Sequence, residues 1–220
     1  MEKFLSNCLP FWAQLAEDDK QLVMQNIKQK KISENNIENN VDVKCEGLNI
    51  VKTGMIRAFI NSDKGQEITL FRITNNEICV FSIICMIKQL DVNINIEAEK
   101  DSTVYVIPIS IYKEINERND YVNKFTYDII SSRLVDVVSI FSNYAFMTVE
   151  QRLVSALLRY SSLNLNNCVI ITHEKLAKDI GSVREVVSRI LKQLQLRKIV
   201  QLSRGKIEII DKIRLKKFFD

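Results

Sequence analysis

Apolar positions along the chain change rhythm several times, and each rhythm predicts a different kind of element. Residues 1–32 hold Pro10-Phe11-Trp12 and then a helical spacing through Leu15, Leu22, Val23 and Ile27. Ser33 to Asp42 is polar and Asn-rich, which predicts a loop. From 43 to 107 the period shortens: Val43 to Val51, Met55 to Ile60, Ile68 to Ile73, Ile78 to Phe81, Val92 to Ala98 and Thr103 to Ile109 are short apolar runs between turn residues. Such runs predict strands of a sandwich or barrel rather than βαβ units. Ile111 to Phe146 is helical again, with Ile130, Leu134, Val137, Phe141 and Tyr144 spaced four, three, four and three. That is a seam of about two heptads. It suits a pair of helices; the alternative is one helix packed on the β-region. Met147-Thr148-Val149-Glu150 reads as a hinge before a helix over Gln151 to Tyr160.

The stretch from Leu176 to Lys192 predicts two short helices around a tight turn. Thr172 is the expected N-cap of the first, whose buried side is Leu176, Ala177 and Ile180. Gly181 supplies the turn. Ser182 is expected to open the second helix, with Glu185 completing a Ser-x-x-Glu capping box. Val183, Val187, Ile190, Leu191 and Leu194 face inward, so Arg184, Glu185, Ser188, Arg189 and Lys192 point outward. Their chemistry suits base edges: arginine bonds guanine O6 and N7 together, and glutamate accepts from cytosine N4. A solvated charged helix would show the same amphipathic pattern. The segment C-terminal to these helices favours DNA, because Ile199 to Ile210 forms two β-rich runs around Arg204-Gly205, a hairpin pattern. A hairpin directly after a recognition helix makes a winged helix-turn-helix, whose wing brings Arg204 and Lys206 near phosphates.

Charge sharpens this division. Residues 151–220 contain 15 Lys/Arg against 6 Asp/Glu, a net of +9, while the preceding 150 residues have a net of −5. A basic C-terminal part on an acidic remainder favours phosphate binding by that part alone. With 220 residues and 46% hydrophobic content there is ample material for real cores. No apolar run approaches a membrane span, and Met1-Glu2-Lys3-Phe4-Leu5 lacks a signal peptide's layout. Five irregularly spaced cysteines do not form a secreted disulfide framework, so a cytoplasmic protein with reduced thiols is expected. One histidine, no Gly-rich phosphate loop and no metal-ligand or nucleophile motif give no support to an enzyme.

The order of these parts resembles the CRP/FNR family of bacterial transcription regulators. The resemblance is carried by Glu174-Lys175-Leu176-Ala177 to Leu191, by Ser203-Arg204-Gly205-Lys206-Ile207-Glu208-Ile209-Ile210-Asp211, and more loosely by the Gln151-Arg152-Leu153 helix. It implies an α+β chain with a jelly-roll-like β-roll sensor domain over 1–110, a dimerisation helix over 111–146 and a winged helix-turn-helix over 147–220. The seam residues Ile130, Leu134, Val137, Phe141 and Tyr144 would then form a homodimer interface, the favoured reading of the seam because a helix-turn-helix protein usually reads a two-fold palindrome. Arg184, Glu185 and Arg189 match the family's Arg-Glu-x-x-x-Arg recognition helix, which reads a TGA-type core, and Ser188 matches a base-contacting position of the FNR branch. Thr172, Ser182, Lys192, Arg204 and Lys206 are expected on the DNA backbone. The implied partners are a palindrome with TGA/TCA-like half-sites, a second copy of the chain and RNA polymerase, with no membrane. Glu185 has a rival role in the capping box.

For the signal, the resemblance offers choices that the residues narrow. The stretch matching the family's phosphate-binding cassette is Asn75-Asn76-Glu77-Ile78-Cys79-Val80-Phe81-Ser82, then Asp91-Val92-Asn93-Ile94. It has no glycine-rich loop and no arginine, so cyclic AMP is not expected. Cys8, Cys45, Cys79, Cys85 and Cys168 lack the clustering of a [4Fe–4S] site. Cys79 and Cys85, with Met86, are either buried apolar residues, a redox or nitric-oxide-responsive pair, or sulfur ligands to haem. His173, the one histidine, stands at the start of the helix-turn-helix, away from the sensor region. The alternative to a DNA-binding regulator is a ligand-binding module that acts through protein partners.

Overall fold

The computed structural model describes residues 1–39, 47–62, 65–79, 94–163 and 167–219. These divide into two compact units: residues 1–60 with 70–137, and residues 61–69 with 138–220. The fold is α+β, with an N-terminal β-sheet region, intervening helices and a C-terminal helix-turn-helix.

In the first unit, α1 (Glu2–Cys8), a 3-10 turn (Trp12–Gln14) and α2 (Glu17–Asn26) precede β1 (Lys28–Ile32) and β2 (Ile37–Asn39). Two 15-residue strands, β3 (Gly47–Asn61) and β6 (Ile94–Pro108), pair antiparallel along most of their length. With β4 (Glu67–Ile73) and β5 (Ile78–Cys79) they build a sheet in which β1-β6-β3-β4 lie in order, β2 pairs with β6 and β5 with β3. The separate strands expected over 43–51 and 55–60 are one strand, because register shifts between Val51 and Ile56 bend it at Gly54 without breaking the ladder. The runs expected at 92–98 and 103–109 likewise form a single strand. Two further expectations are corrected: β1 is a strand, not a helix end, and β2 interrupts the expected loop at 33–42.

The sheet carries apolar clusters on its two sides. One joins Leu48, Ile50, Ile78 and Ile107 to Leu5, Trp12, Val23 and the following helices through Tyr112, Ile115 and Val122. The other gathers Ile32, Val51, Ile56, Ala58, Ile73, Cys79, Ala98 and Val104. The single helix expected over 111–146 is two helices, α3 (Ile109–Arg118) and α4 (Asp120–Phe146). Asn119 separates them: its backbone is extended, and its Oδ1 accepts from the N–H groups of Tyr121 and Val122, at 3.0 and 3.3 Å. It is the N-cap that restarts the helix. No helix of the described residues is long and apolar enough to cross a membrane.

In the second unit, α5 (Val149–Leu163) comes after α4 with only Met147 and Thr148 between them. Thr148 Oγ1 accepts from Gln151 N–H at 3.2 Å, and Gln151 Oε1 accepts from Thr148 N–H at 3.0 Å. This reciprocal capping box fixes where α5 begins, two residues ahead of the expected start. Strand β7 (Cys168–Ile170), helices α6 (His173–Asp179) and α7 (Arg184–Leu196), the hairpin β8 (Val200–Ser203) and β9 (Lys206–Ile209), and α8 (Lys212–Lys216) complete the unit. The three strands pair in the order β7-β9-β8. One apolar core unites Leu153, Leu157, Val169, Leu176, Val187, Leu191, Leu194, Ile207, Ile209 and Leu215.

Candidate nucleic-acid interface

Helix α6 starts where the sequence predicts. Thr172 has an extended backbone, and its Oγ1 accepts from Lys175 N–H at 3.1 Å. Its end is set by Gly181, with φ +60°, and by a bond from Ser182 N–H back to Ala177 O at 3.0 Å. That six-to-one bond with a left-handed residue before it is a Schellman stop. A Cβ on Gly181 would lie 2.6 Å from the Tyr144 ring, so the turn is closed sterically as well. The buried Asp179 accepts from Thr69 Oγ1 at 2.9 Å and from the Tyr160 hydroxyl, while Lys178 pairs with Glu67 at 3.1 Å. These bonds hold the C-terminal end of α6 and thereby the platform for α7.

Helix α7 differs from expectation at its first turn. It begins at Arg184, with Val183 in the N-cap position and no side-chain cap. The Ser182–Glu185 capping box is therefore corrected, since Ser182 lies one residue outside the cap and its N–H serves the preceding turn. Val183, expected inside, is exposed. The rest of the inward face holds: Val187, Leu191 and Leu194 are fully buried and Ile190 nearly so. Each such side chain contributes about 1.5–3 kcal/mol of apolar burial. Opposite them Arg184, Glu185, Arg189 and Lys192 are exposed and Ser188 is half-buried. Arg184 and Ser188 are four apart, as are Glu185 and Arg189, so these residues form two adjacent rows on one face.

Beside the start of α7 lies a cleft of about 330 Å³, lined by Thr172, His173, Glu174, Arg184, Ser203 and Arg204 among others. Arg204 and Gly205 form the two-residue turn of the wing, and Gly205 O accepts from Ile171 N–H at 3.1 Å, tying the wing tip to the entry of α6. The structure thus brings Thr172, Arg184 and Arg204 together. Lys192 stands on the solvent face of α7, and Lys206 on β9 lies 3.6 Å from the Glu208 carboxylate. Sequence reasoning missed one member of this surface. His173 Nδ1 lies 2.8 Å from Ser188 Oγ, a contact across 15 residues that no local pattern announces. Burial, then the Arg184 guanidinium, holds the His173 pKa below its ordinary value.

The expected seam on α4 is rotated. Leu134, Val137 and Phe141 are exposed, but Ile130 packs on the core of the first unit. Tyr144 turns inward beside Gly181, with Arg152 4.3 Å above its ring centre, and burial pushes its phenol pKa up to about 12. Ile130 and Tyr144 are therefore corrected as members of that outward row, and Tyr127 and Val138 join Leu134 and Phe141 on it.

Of the sulfur candidates, Cys79 lies on β5 opposite Asn49, only 3% exposed within the apolar cluster of the sheet. A haem iron reaching that sulfur would have to displace the packing, so Cys79 does not fit a haem ligand. Cys85 and Met86 lie outside the described residues. The β-region's Arg57 pairs with Glu97 at 2.9 Å, and Arg72 makes a two-pronged pair with Glu99 at 2.8 and 2.9 Å.

Residues 151–218 match the Crp-like helix-turn-helix domain family. A proposed transcriptional regulator of the crp/fnr family from Eubacterium rectale is 36% identical over 96% of this chain and 98% of its own, with a TM-score of 0.85. The c-di-GMP responsive global regulator CLP from Xanthomonas campestris shares the fold at 15% identity, over 88% of this chain and 99% of its own, with a TM-score of 0.72. A CooA mutant from Carboxydothermus hydrogenoformans does so at 17%, over 96% and 95%, with a TM-score of 0.71. Comparison with curated proteins returned no match. The winged helix-turn-helix, the β-sheet region before it and the full-length likeness at 36% identity place this chain in the CRP/FNR family of transcriptional regulators.

Proposed function

We propose that the protein is a homodimeric cytoplasmic regulator that reads a DNA palindrome with TGA/TCA-like half-sites. The observation that carries this reading is α7, which buries Val187, Ile190, Leu191 and Leu194 while Arg184, Glu185 and Arg189 stand exposed in two adjacent rows. An arginine fork matches guanine O6 and N7, and a carboxylate accepts from cytosine N4. With no capping box to occupy it, Glu185 is assigned to a base. Thr172, Ser182, Lys192, Arg204 and Lys206 are assigned to phosphates, which fix register without reading sequence. The cleft beside Arg184 and Arg204 is where the backbone of the bound strand passes.

A palindrome requires two recognition helices about 34 Å apart, one turn of B-DNA. The occupant assigned to the exposed row of α4 is a second copy of the chain, because two-fold DNA demands a two-fold protein. RNA polymerase is the further partner of such a regulator. The signal acts through the β-sheet region and is other than cyclic AMP. In support, Asn75 to Ser82 contains no arginine, and Arg57 and Arg72 are already compensated by Glu97 and Glu99. The signal alters the arrangement of the α4 helices and so the spacing of the two recognition helices, a coupling of two sites through one two-state element.

The test is titration of the full-length protein against a TGA/TCA palindrome and a scrambled duplex at two salt concentrations. A regulator discriminates by a factor of about 10³ or more, with affinity falling steeply as salt rises. Equal binding to both duplexes, or none, would leave the interaction-module reading instead.

A further inference from the structure

The recognition helix carries one polar side chain that already has a partner in the protein. Ser188 lies one turn beyond Arg184 and one turn before Lys192 on α7, and its Oγ is 2.8 Å from Nδ1 of His173, the first residue of α6. The two helices of the motif therefore share a hydrogen bond, and one proton lies between nitrogen and oxygen. A hydroxyl owns one hydrogen and two acceptor lone pairs. The imidazole decides which of these remain for a third group. When Nδ1 is bare, the Ser188 hydrogen points at the ring and the oxygen can only accept. When Nδ1 carries hydrogen, the ring donates to Oγ and the hydroxyl hydrogen is released outward. Base edges distinguish the two states: adenine N6 and cytosine N4 donate, whereas guanine O6 and N7 and thymine O4 accept.

We propose that His173 is a specificity-setting positioning residue: by holding the Ser188 hydroxyl, it decides whether that side chain reads a base edge as acceptor or as donor. This rests on the protein being a DNA-binding regulator.

The charged groups that line the cleft with His173 are Arg184 from α7, Arg204 from the wing and Glu174 beside it on α6. Burial and Arg184 both disfavour the imidazolium, so the ring is neutral near pH 7. With the neutral ring assigned as the Nε2–H tautomer, Nδ1 takes the Ser188 hydrogen, and Ser188 faces the groove as an acceptor for adenine or cytosine. Acid adds the second proton and turns the same hydroxyl toward thymine or guanine. The lowered pKa also means that the folded chain binds this proton less readily than the unfolded chain. Folding stability is therefore lost as pH falls from 6.5 through the folded value. Comparing bases at one pH cancels that loss.

The experiment uses full-length protein and a set of palindromic duplexes carrying each base pair at every half-site position. Ser188→Ala identifies the position that Ser188 reads. There the wild type should prefer an adenine or cytosine edge about fivefold, the worth of one neutral hydrogen bond. The preference should move toward thymine or guanine between about pH 7.5 and about pH 5. His173→Ala should alter preference at that base pair alone and add nothing in the Ser188→Ala background. His173→Asn, which can accept from near the place of Nδ1 but does not titrate, should keep the neutral-pH preference and lose the pH shift. Thermal melts of each variant verify folding. A His173→Ala effect spread evenly over all positions, or persisting without Ser188, would overturn the assignment, as would a Ser188→Ala variant with unchanged preferences. Should the wild type bind scrambled DNA equally, the DNA-recognition reading falls and this one with it. Discrimination by the wild type without His173–Ser188 coupling removes only the role of His173.

Discussion

Helices α7 and α4 solve the same problem in opposite ways. Both belong to a chain with enough apolar residues to bury one face of each. On α7 the division is sharp over most of its length: Val187, Leu191 and Leu194 are fully covered and Arg184, Glu185, Arg189 and Lys192 stand outside, with Leu196 at the end the one strongly exposed apolar residue of the helix. On α4 the outside row is apolar, with Tyr127, Leu134, Val138 and Phe141 between 57% and 70% exposed. The difference is instructive because water is a good partner for a guanidinium and a poor one for a phenylalanine. The face of α7 is stable alone and available to any anion of the right shape. The face of α4 is incomplete alone; in the proposed homodimer a second copy covers it and joins two α7 helices into one reader.

Breaking the apolar row should have the largest effect. Phe141→Asp would replace the most exposed residue of that row with a carboxylate, on the face assigned to the second copy. The variant is expected to sediment as a monomer and to lose about 10²–10⁴ in affinity for a palindrome, the advantage of linking two half-site contacts. A dimer that survives this change would move the interface elsewhere. Leu191→Ala tests the opposite face of the comparison, the buried side of α7. It should lower unfolding stability by about 2–5 kcal/mol in urea titrations, while protein still folded keeps its base preferences. Arg189→Ala should cost about 1–3 kcal/mol at a single base pair across a panel of substituted duplexes. A uniform loss over the panel would make it a phosphate contact. Lys192→Ala is expected to be the mildest: binding to all sequences weakens alike, and the slope of log affinity against log salt falls by about one.

How far the sequence foretells this depends on whether a signal is local. The helix-turn-helix is legible because Thr172, Gly181 and the apolar positions of α7 each act within a few residues, and the wing because Arg204-Gly205 separates two β-rich runs. Strand β1 is not, since Lys28-Gln29-Lys30-Lys31-Ile32 has one inward apolar residue and takes its shape from pairing with β6. The two long strands read as four because a bulge resembles a turn when its partner strand is unseen. The Ser182–Glu185 capping box does not form because the Schellman stop claims Ser182, whereas a Thr148–Gln151 box forms within the stretch expected as a hinge. The seam on α4 is displaced because spacing reports which residues are apolar, not which of them the chain itself covers. Tyr144 is claimed by Gly181 and Arg152, and Ile130 by the first unit's core. The link between His173 and Ser188 exists only once α6 and α7 are folded against each other.

Gly181 and Gly205 share nearly the same left-handed backbone, with φ of +60° and +69°. Their surroundings differ: Gly181 faces the Tyr144 ring, while a side chain at 205 would meet nothing within 4 Å. Conformation alone can be tolerated by asparagine or aspartate, but crowding cannot. In a library of random variants selected for stable folding, position 205 should therefore diversify toward those two residues. Position 181 should stay invariant, so the turn of the reading head is mutationally brittle where its wing is permissive.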